Sequence, residues 1–334
     1  MTPESDLPMA RAHRPFDTVL IGTSLGDESD RVVRSGLAVS RAGGAKVYLV
    51  HAVPVEPLSL ASELGPELLR QQIAAAEDQL RQQIERLGIG EAELAGARVL
   101  SGAPHFVLID AARTAGADLI VLGATGFGPF AAELLGSTAD RVLRKAFCPV
   151  LVVRGELSVP PRRVLAPVDL SPLSGDAFRG GLHLLRQLVK DEEVELRVVF
   201  AQSFLDTLPL LQQQGADVSS AALERHGSEE LQGFVRENGP EAPFRVETAV
   251  LPGEARFEIL RELDEHPVDL VMLGTHGRGG LDRLVLGSVA STVARKAPCS
   301  VLMISSEAAL GEGIAEAVLA RTTPAWGHEP LPTA

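Results

Sequence analysis

Short apolar runs alternate with longer segments whose apolar residues recur at helical spacing, along nearly the whole chain. Several short runs, such as the Leu-Ile-Val-Leu at 119–122, are apolar throughout, which is typical of strands covered on both faces. Segment 64–87 has the spacing of a long helix, and 222–237 is its counterpart. This alternation predicts βαβ units, in which a parallel sheet carries helices on both faces. Strands are predicted at 17–22, 46–53, 97–100, 119–123, 149–154, 163–168, 194–201, 245–250, 270–274 and 300–304.

The chain contains the same pattern twice. The segment Asp118-Leu-Ile-Val-Leu-Gly-Ala-Thr-Gly corresponds to Asp269-Leu-Val-Met-Leu-Gly-Thr-His-Gly, and the correspondence continues without a gap to Val153 and Ile304. Compositional bias cannot place so many identities in one register, so the sequence predicts a duplicated domain. The predicted organisation is a disordered N-terminus at 1–14, domains at 15–154 and 162–305, a proline-containing linker at 155–161 and a C-terminal tail at 306–334.

Composition narrows the classes of function. The chain has 334 residues, enough for two domains, and its formal net charge of −13 argues against a protein that grips nucleic acid backbones. Cys148 and Cys299 are the only cysteines, too few for a disulfide framework. The first fifteen residues lack an apolar signal region, and no run of about 18 apolar residues occurs. We therefore expect a cytoplasmic protein that binds neither nucleic acid nor membrane.

The richest chemical signal is a glycine-bearing segment in the second copy. Gly274 and Gly277 follow a buried strand at its carboxyl end, where open α/β sheets bind ligands. Gly287 and Ser288 open a predicted helix at 289–297, and a helix start offers unpaired N–H groups and the positive end of the helix dipole. The segment predicts a phosphate cradle, although it contains neither the Gly-Lys-Ser/Thr of a P-loop nor a Gly-x-Gly-x-x-Gly fingerprint.

The spacing of this segment (Gly, two residues, Gly, nine residues, Gly-Ser) resembles the nucleotide loop of the universal stress protein family. The resemblance covers about residues 15–305 and implies two tandem α/β domains, Rossmann-like and adenine nucleotide alpha-hydrolase-like, each with an open five-stranded parallel sheet. It also implies that the chain binds ATP, with or without Mg²⁺, and that an Asp after the first strand contacts the nucleoside. The residues expected to bind nucleotide are Pro167, Val168, Asp169, Ser171, Gly274, His276, Gly277, Arg278, Gly287, Ser288 and Val289.

The first copy departs from this pattern. Ser24 stands in place of the Asp, and Phe127 and Pro129 stand in place of Arg278 and Gly280. A serine lacks the negative charge of the Asp, and a proline lacks the N–H donor. ATP is therefore expected mainly in the second domain, with a weaker site at Gly123, Gly126, Gly136 and Ser137.

Simpler roles stay open for individual residues of the second loop. Its glycines could serve only a tight strand-to-helix turn. Asp169 could cap the helix that follows it, a common role for Asp. His276 and Arg278 could be solvated loop residues, because neither has a partner that the sequence identifies.

Several patterns typical of catalysis are absent from the sequence. It contains no His-x-x-x-His and no Cys-x-x-Cys, so a zinc site is not expected, and no general base is evident beside the phosphate loop. We therefore expect no catalytic residues, no metal site and at most a weak ATPase. Three functions are compatible with the sequence: a nucleotide-dependent stress-response regulator with an unknown partner, an ATP-using enzyme, and a scaffold with vestigial sites.

The last predicted strand of each copy is an apolar edge that needs covering. The resemblance implies that these strands, at 149–153 and 300–304, pair antiparallel across a two-fold axis. A fused pair of domains would satisfy this pairing within one chain as an internal pseudo-dimer, and a homo-dimer of chains is a further option.

Overall fold

Strands and helices alternate through both copies in the computed structural model, which describes residues 16–55, 65–124, 135–189, 192–203, 220–240, 244–277 and 286–305. The predicted N-terminal segment and C-terminal tail lie outside these ranges. The elements of the first copy are β1 (Thr18–Thr23), α1 (Asp27–Gly43), β2 (Lys46–Val53), α2 (Gly65–Arg86), β3 (Leu94–Ser101), α3 (Pro104–Thr114), β4 (Leu119–Gly123), α4 (Ser137–Lys145) and β5 (Val150–Val153).

The second copy repeats this order element by element. Its elements are β6 (Arg163–Val168), α5 (Pro172–Leu188), β7 (Val194–Gln202), α6 (Ser220–Asn238), β8 (Phe244–Pro252), α7 (Ala255–Glu265), β9 (Leu270–Gly274), α8 (Ser288–Lys296) and β10 (Ser300–Ile304).

The two copies share one sheet of ten strands in the order β3-β2-β1-β4-β5-β10-β9-β6-β7-β8. Neighbouring strands are parallel within each copy, which confirms the α/β fold class. The exception is the junction, where β5 pairs antiparallel with β10 and Leu151 lies opposite Leu302. The two five-stranded sheets of the prediction are therefore halves of one continuous sheet.

The predicted strands differ from the observed ones mainly at the sheet edges. β3 begins at Leu94, three residues before the predicted start, and β8 ends at Pro252, two residues beyond the predicted end. Both are outer strands with many half-exposed or exposed positions. Such strands lack the continuous apolar run that identified the central strands, so their ends carry little sequence signal.

Helices cover both faces of the sheet, and the hydrophobic core continues across the junction on each face. α1, α2, α5 and α6 pack on one face, in a cluster that includes Leu151 and Leu302. α3, α4, α7 and α8 pack on the other, in a cluster that includes Val152 and Val301. Each cluster draws residues from both copies, so the two domains bury apolar surface against each other.

The segment between the domains is packed rather than a free spacer. Leu157 is only 5% exposed, and its backbone N–H donates to Ser35 Oγ at 3.1 Å. The proline-containing linker therefore holds α1 of the first domain as well as joining the two copies. None of the helices in the described ranges is both long enough and apolar enough to cross a bilayer.

Candidate functional site

The turn between β6 and α5 presents the predicted acidic residue. Asp169 directly follows β6, and its Oδ1 accepts hydrogen bonds from Ser171 N at 3.0 Å and Ser171 Oγ at 2.6 Å. Ser171, not Asp169, caps α5, because its Oγ accepts from Ser174 N at 3.2 Å. The capping role considered for Asp169 therefore belongs to Ser171. Pro167 is half-buried and Val168 is buried within β6, where they support the turn.

The residue after Asp169 has an unusual backbone conformation. Leu170 lies in the left-handed region, with φ 63°, and Leu25 occupies the same place in the first copy with φ 66°. A leucine held in this region costs about 1–3 kcal/mol, and such residues cluster at ligand sites. The fold therefore imposes one specific turn geometry at this end of the sheet in both domains.

Asp169 lies directly against the second glycine of the loop. A Cβ atom built on Gly277 would collide with Asp169 Oδ2, so any larger residue requires a shift of the carboxylate. The two residues are distant in sequence, but β6 and β9 are hydrogen-bonded neighbours in the sheet. The structure thus brings the predicted nucleoside contact and the predicted phosphate loop to one point at the carboxyl edge.

The beginning of α8 forms the other wall of the site. Gly287 is the N-cap residue, and its N–H donates to Thr275 O at 2.9 Å. A Cβ on Gly287 would lie 3.2 Å from the same carbonyl oxygen, so the close approach favours glycine. No side chain of the described residues caps this helix start. Ser288 is exposed and Val289 is half-buried against the core. The helix start thus lies beside the end of β9, with unpaired N–H groups in its first turn.

His276 is tied to its neighbour and is not a free surface residue. Its Nδ1 lies 2.9 Å from Thr275 Oγ1. Its Nε2 is buried and has no hydrogen-bond partner among the described residues. A buried ring nitrogen of this kind favours a polar partner, because an unpaired buried polar group costs about 1–3 kcal/mol. Arg278 falls in 278–285, outside the described residues.

The corresponding loop of the first domain has the same anchors at its ends. Gly136 N donates to Ala124 O at 2.7 Å, and Ala124 N donates to Val153 O at 3.0 Å. Gly123 ends β4, and Ser137 is the exposed first residue of α4. Gly126, Phe127 and Pro129 lie in 125–134, outside the described residues.

The turn between β1 and α1 of the first domain lacks the acidic side chain. A buried polar network, which the sequence did not reveal, lies behind this turn. Ser24, in place of the acid, is exposed. Beneath it, Thr23 Oγ1 donates to Gln83 Oε1 at 2.8 Å, and Gln83 Nε2 donates to Asp30 Oδ1 at 2.7 Å. Arg86 completes the network with two 2.9 Å bonds to Asp30, and these hold the pKa of that carboxyl below its ordinary value. The network fastens α2 to β1 and α1.

The second domain lacks two of the side chains that form this network. Counting from the left-handed leucine of each turn, Val168 corresponds to Thr23 and Gly175 to Asp30. Phe234 of α6 packs on Phe178 of α5, with ring centroids 5.7 Å apart. The two domains therefore share a fold but differ in chemistry behind the turn.

Neither cysteine has the properties of a nucleophile. Burial raises the pKa of the Cys148 thiol well above its ordinary value and raises the pKa of Cys299 to about 11. Both are thus protonated thiols near neutral pH, as expected for packing residues. Within the described ranges, no group of three or more His, Cys, Asp or Glu side chains is placed to hold a metal ion.

Comparison with known proteins identifies relatives of both halves of the chain. The model of the universal stress protein family matches residues 15–154 and again residues 161–305. Universal stress protein Rv2005c of Mycobacterium tuberculosis is 34% identical over 197 residues, which cover 56% of this chain and 61% of that protein. The match thus spans less than two thirds of that relative's length. A universal stress protein of Mycolicibacterium smegmatis is 27% identical over 305 residues, 86% of this chain and 96% of its own length.

Solved structures share the whole architecture. A functionally unknown protein of Pseudomonas aeruginosa, PA1789, superposes with a TM-score of 0.65 at 18% identity, covering 94% of this chain and 100% of its own. A universal stress protein of Archaeoglobus fulgidus superposes with a TM-score of 0.58 at 20% identity, covering 86% and 96%. At these identities the superpositions establish the fold alone.

Proposed function

The chain belongs to the universal stress protein family, and we propose that it is a cytoplasmic, nucleotide-dependent stress-response regulator that binds ATP mainly in its second domain. The observation that best supports this proposal is the contact between Asp169 and Gly277 beside the glycine-capped start of α8. A carboxylate suits the hydroxyl groups of a ribose, and a helix start suits phosphates. Both lie at the carboxyl edge of the sheet, where α/β proteins bind ligands.

His276 extends the same site. Because its Nε2 is buried without a partner among the described residues, a bound polar ligand would relieve the cost of that unpaired atom. Ser288 adds a hydroxyl at the helix start. In this proposal the nucleotide lies with its ribose at Asp169 and its phosphates over Gly277 and the first turn of α8.

We expect titration calorimetry on the full chain to give one tight ATP site. Asp169→Asn keeps an oxygen that accepts from Ser171 but removes the charge, so it should weaken ATP binding by about tenfold or more. Ser24→Ala, the corresponding change in the first domain, should leave the affinity unchanged. Two sites of equal affinity, or equal losses in the two variants, would overturn the assignment to the second domain. A chain that neither retains nucleotide nor binds ATP would instead favour the scaffold function.

We also expect ATP hydrolysis to be slow, below about 1 per second, the lower end of ordinary enzyme turnover. Main-chain N–H groups and the Ser288 hydroxyl can hold ground-state phosphates, whereas fast hydrolysis also needs an oriented water and charge matched to the transition state. Phosphate release with Mg²⁺ measures the rate. Enzyme-like turnover that collapses in Ser288→Ala and Arg278→Ala would favour the ATP-using enzyme over the regulator.

A further inference from the structure

Arg154 of the first domain reaches across the junction to the second. It follows β5, and its Nη2 donates to two carbonyl oxygens of α8, Ala294 O at 2.9 Å and Arg295 O at 2.8 Å. Its backbone N–H donates to Ser300 Oγ at 3.1 Å, so the residue is held at both ends. Burial lowers the pKa of the guanidinium, as expected for a half-buried cation.

The two carbonyls belong to the last turn of α8, where oxygen atoms have no partner within the helix. A cation there offsets the negative end of the helix dipole. α8 has only nine residues, too few to be a stable helix by itself, so its position depends on such tertiary contacts. The opposite end of this helix is the Gly287–Ser288 start that forms the proposed phosphate cradle.

The second domain has no arginine at the position equivalent to Arg154. The residue after β10, which corresponds to Arg154, is Ser305, and a serine has no guanidinium to reach two carbonyls of α4. Asp140 of α4 accepts from Arg295 across the same junction at 2.8 Å, and its counterpart in α8 is the uncharged Ser291. The first domain therefore supplies a guanidinium to the last turn of α8, whereas the second domain has a serine at the position that would serve α4 in the same way. The ion pair between Asp140 and Arg295 links the two helices to each other.

We propose that Arg154 is a positioning residue through which the first domain fixes the phosphate-binding helix of the second. This inference rests on the proposed function, because it concerns the same ATP site. It gives the first domain a role even where its own nucleotide site is weak: it supports the C-terminal end of the helix whose N-terminal end meets the phosphates.

The test compares the affinities of the full chain for ATP and for adenosine, which lacks the phosphates. In Arg154→Met, whose side chain keeps apolar bulk but no donors, ATP affinity should fall about 3- to 10-fold, while adenosine affinity should not change. Arg154→Lys keeps the charge but lacks the planar guanidinium, so its ATP affinity should lie between those of the parent chain and Arg154→Met. Arg144→Met makes the same change at an arginine that donates to Asp140 within α4, and it should leave the ratio of the two affinities unchanged.

The outcomes separate this inference from the proposed function. The ratio of ATP affinity to adenosine affinity stays unchanged in Arg154→Met if neither affinity falls or if both fall equally. Either result would overturn the positioning role, while ATP binding by the parent chain stands. The same selective loss in Arg144→Met would overturn the assignment to Arg154. If Arg154→Met does not fold, Arg154→Lys decides by the same ratio. A parent chain that binds ATP no better than adenosine would overturn the proposed function itself.

Discussion

Replacing Gly277 by valine is expected to abolish tight ATP binding, with a loss in affinity of at least about 100-fold. The first added carbon would collide with Asp169 Oδ2, so the carboxylate must leave its place. Moving it also strains the hydrogen bonds that Asp169 Oδ1 accepts from Ser171 at the start of α5. The two branches of valine would further occupy the space proposed for the phosphates. Calorimetric titration of the full chain with ATP measures the loss.

The repeat supplies a matched control. Gly126→Val makes the same change at the corresponding position of the first loop and should leave the tight site intact. A second control isolates the collision: Gly277→Ala should destabilise the chain less in an Asp169→Ala background, because the opposing carboxylate is then absent. Tight ATP binding in Gly277→Val would mean that the loop glycines serve packing alone.

The fold could be predicted because the sequence patterns that identify its strands and helices are local and occur in both copies. Central strands such as β4 and β9 are buried along almost their whole length, and their apolar runs appear in the sequence without interruption. The duplication then fixed the order of elements in both copies. The start of β3 was missed because an edge strand with half-exposed positions has no such run.

The candidate site was predictable only in part. Glycine spacing and the helix start gave the location of the second loop, and the family resemblance gave Asp169. Periodicity could not indicate that Asp169 Oδ2 lies against Gly277, because that contact depends on β6 and β9 being neighbours. The buried partners of Gln83 are equally non-local, 53 to 60 residues away, and a Gln within a helix rich in polar residues reads as a surface position. From the sequence alone, Arg154 is only a charged residue after a strand, because its contact with α8 depends on how the two domains pair at the junction.

The junction between the domains should determine the stability of the whole chain. Leu302 of β10 is 1% exposed and belongs to a cluster that includes Leu119 of the first domain and Leu270 of the second. The cavity between these side chains is about 10 Å³, at the lower limit for a single water molecule. A charge placed there can be neither hydrated nor paired by the apolar residues around it.

Leu302→Asp is therefore expected to lower the free energy of unfolding by about 4 kcal/mol or more, since it buries a carboxylate and removes apolar contacts. That loss approaches the whole stability of many domains, about 5–15 kcal/mol, so much of the chain should be unfolded. Urea denaturation followed by far-ultraviolet circular dichroism measures the change. Leu68→Asp, the same substitution at a leucine of α2 that is 53% exposed, should change stability by less than about 0.5 kcal/mol.

Amide hydrogen exchange shows whether the damage crosses the junction. Because the core clusters on both faces contain residues of both copies, β1 of the first domain and β6 of the second should lose protection together in Leu302→Asp. A volume-conserving Leu302→Met should retain protection in both strands, at a cost of less than about 1.5 kcal/mol. If β1 stays protected in Leu302→Asp while β6 does not, the first domain folds independently, and the shared core is a passive contact between two separate folding units.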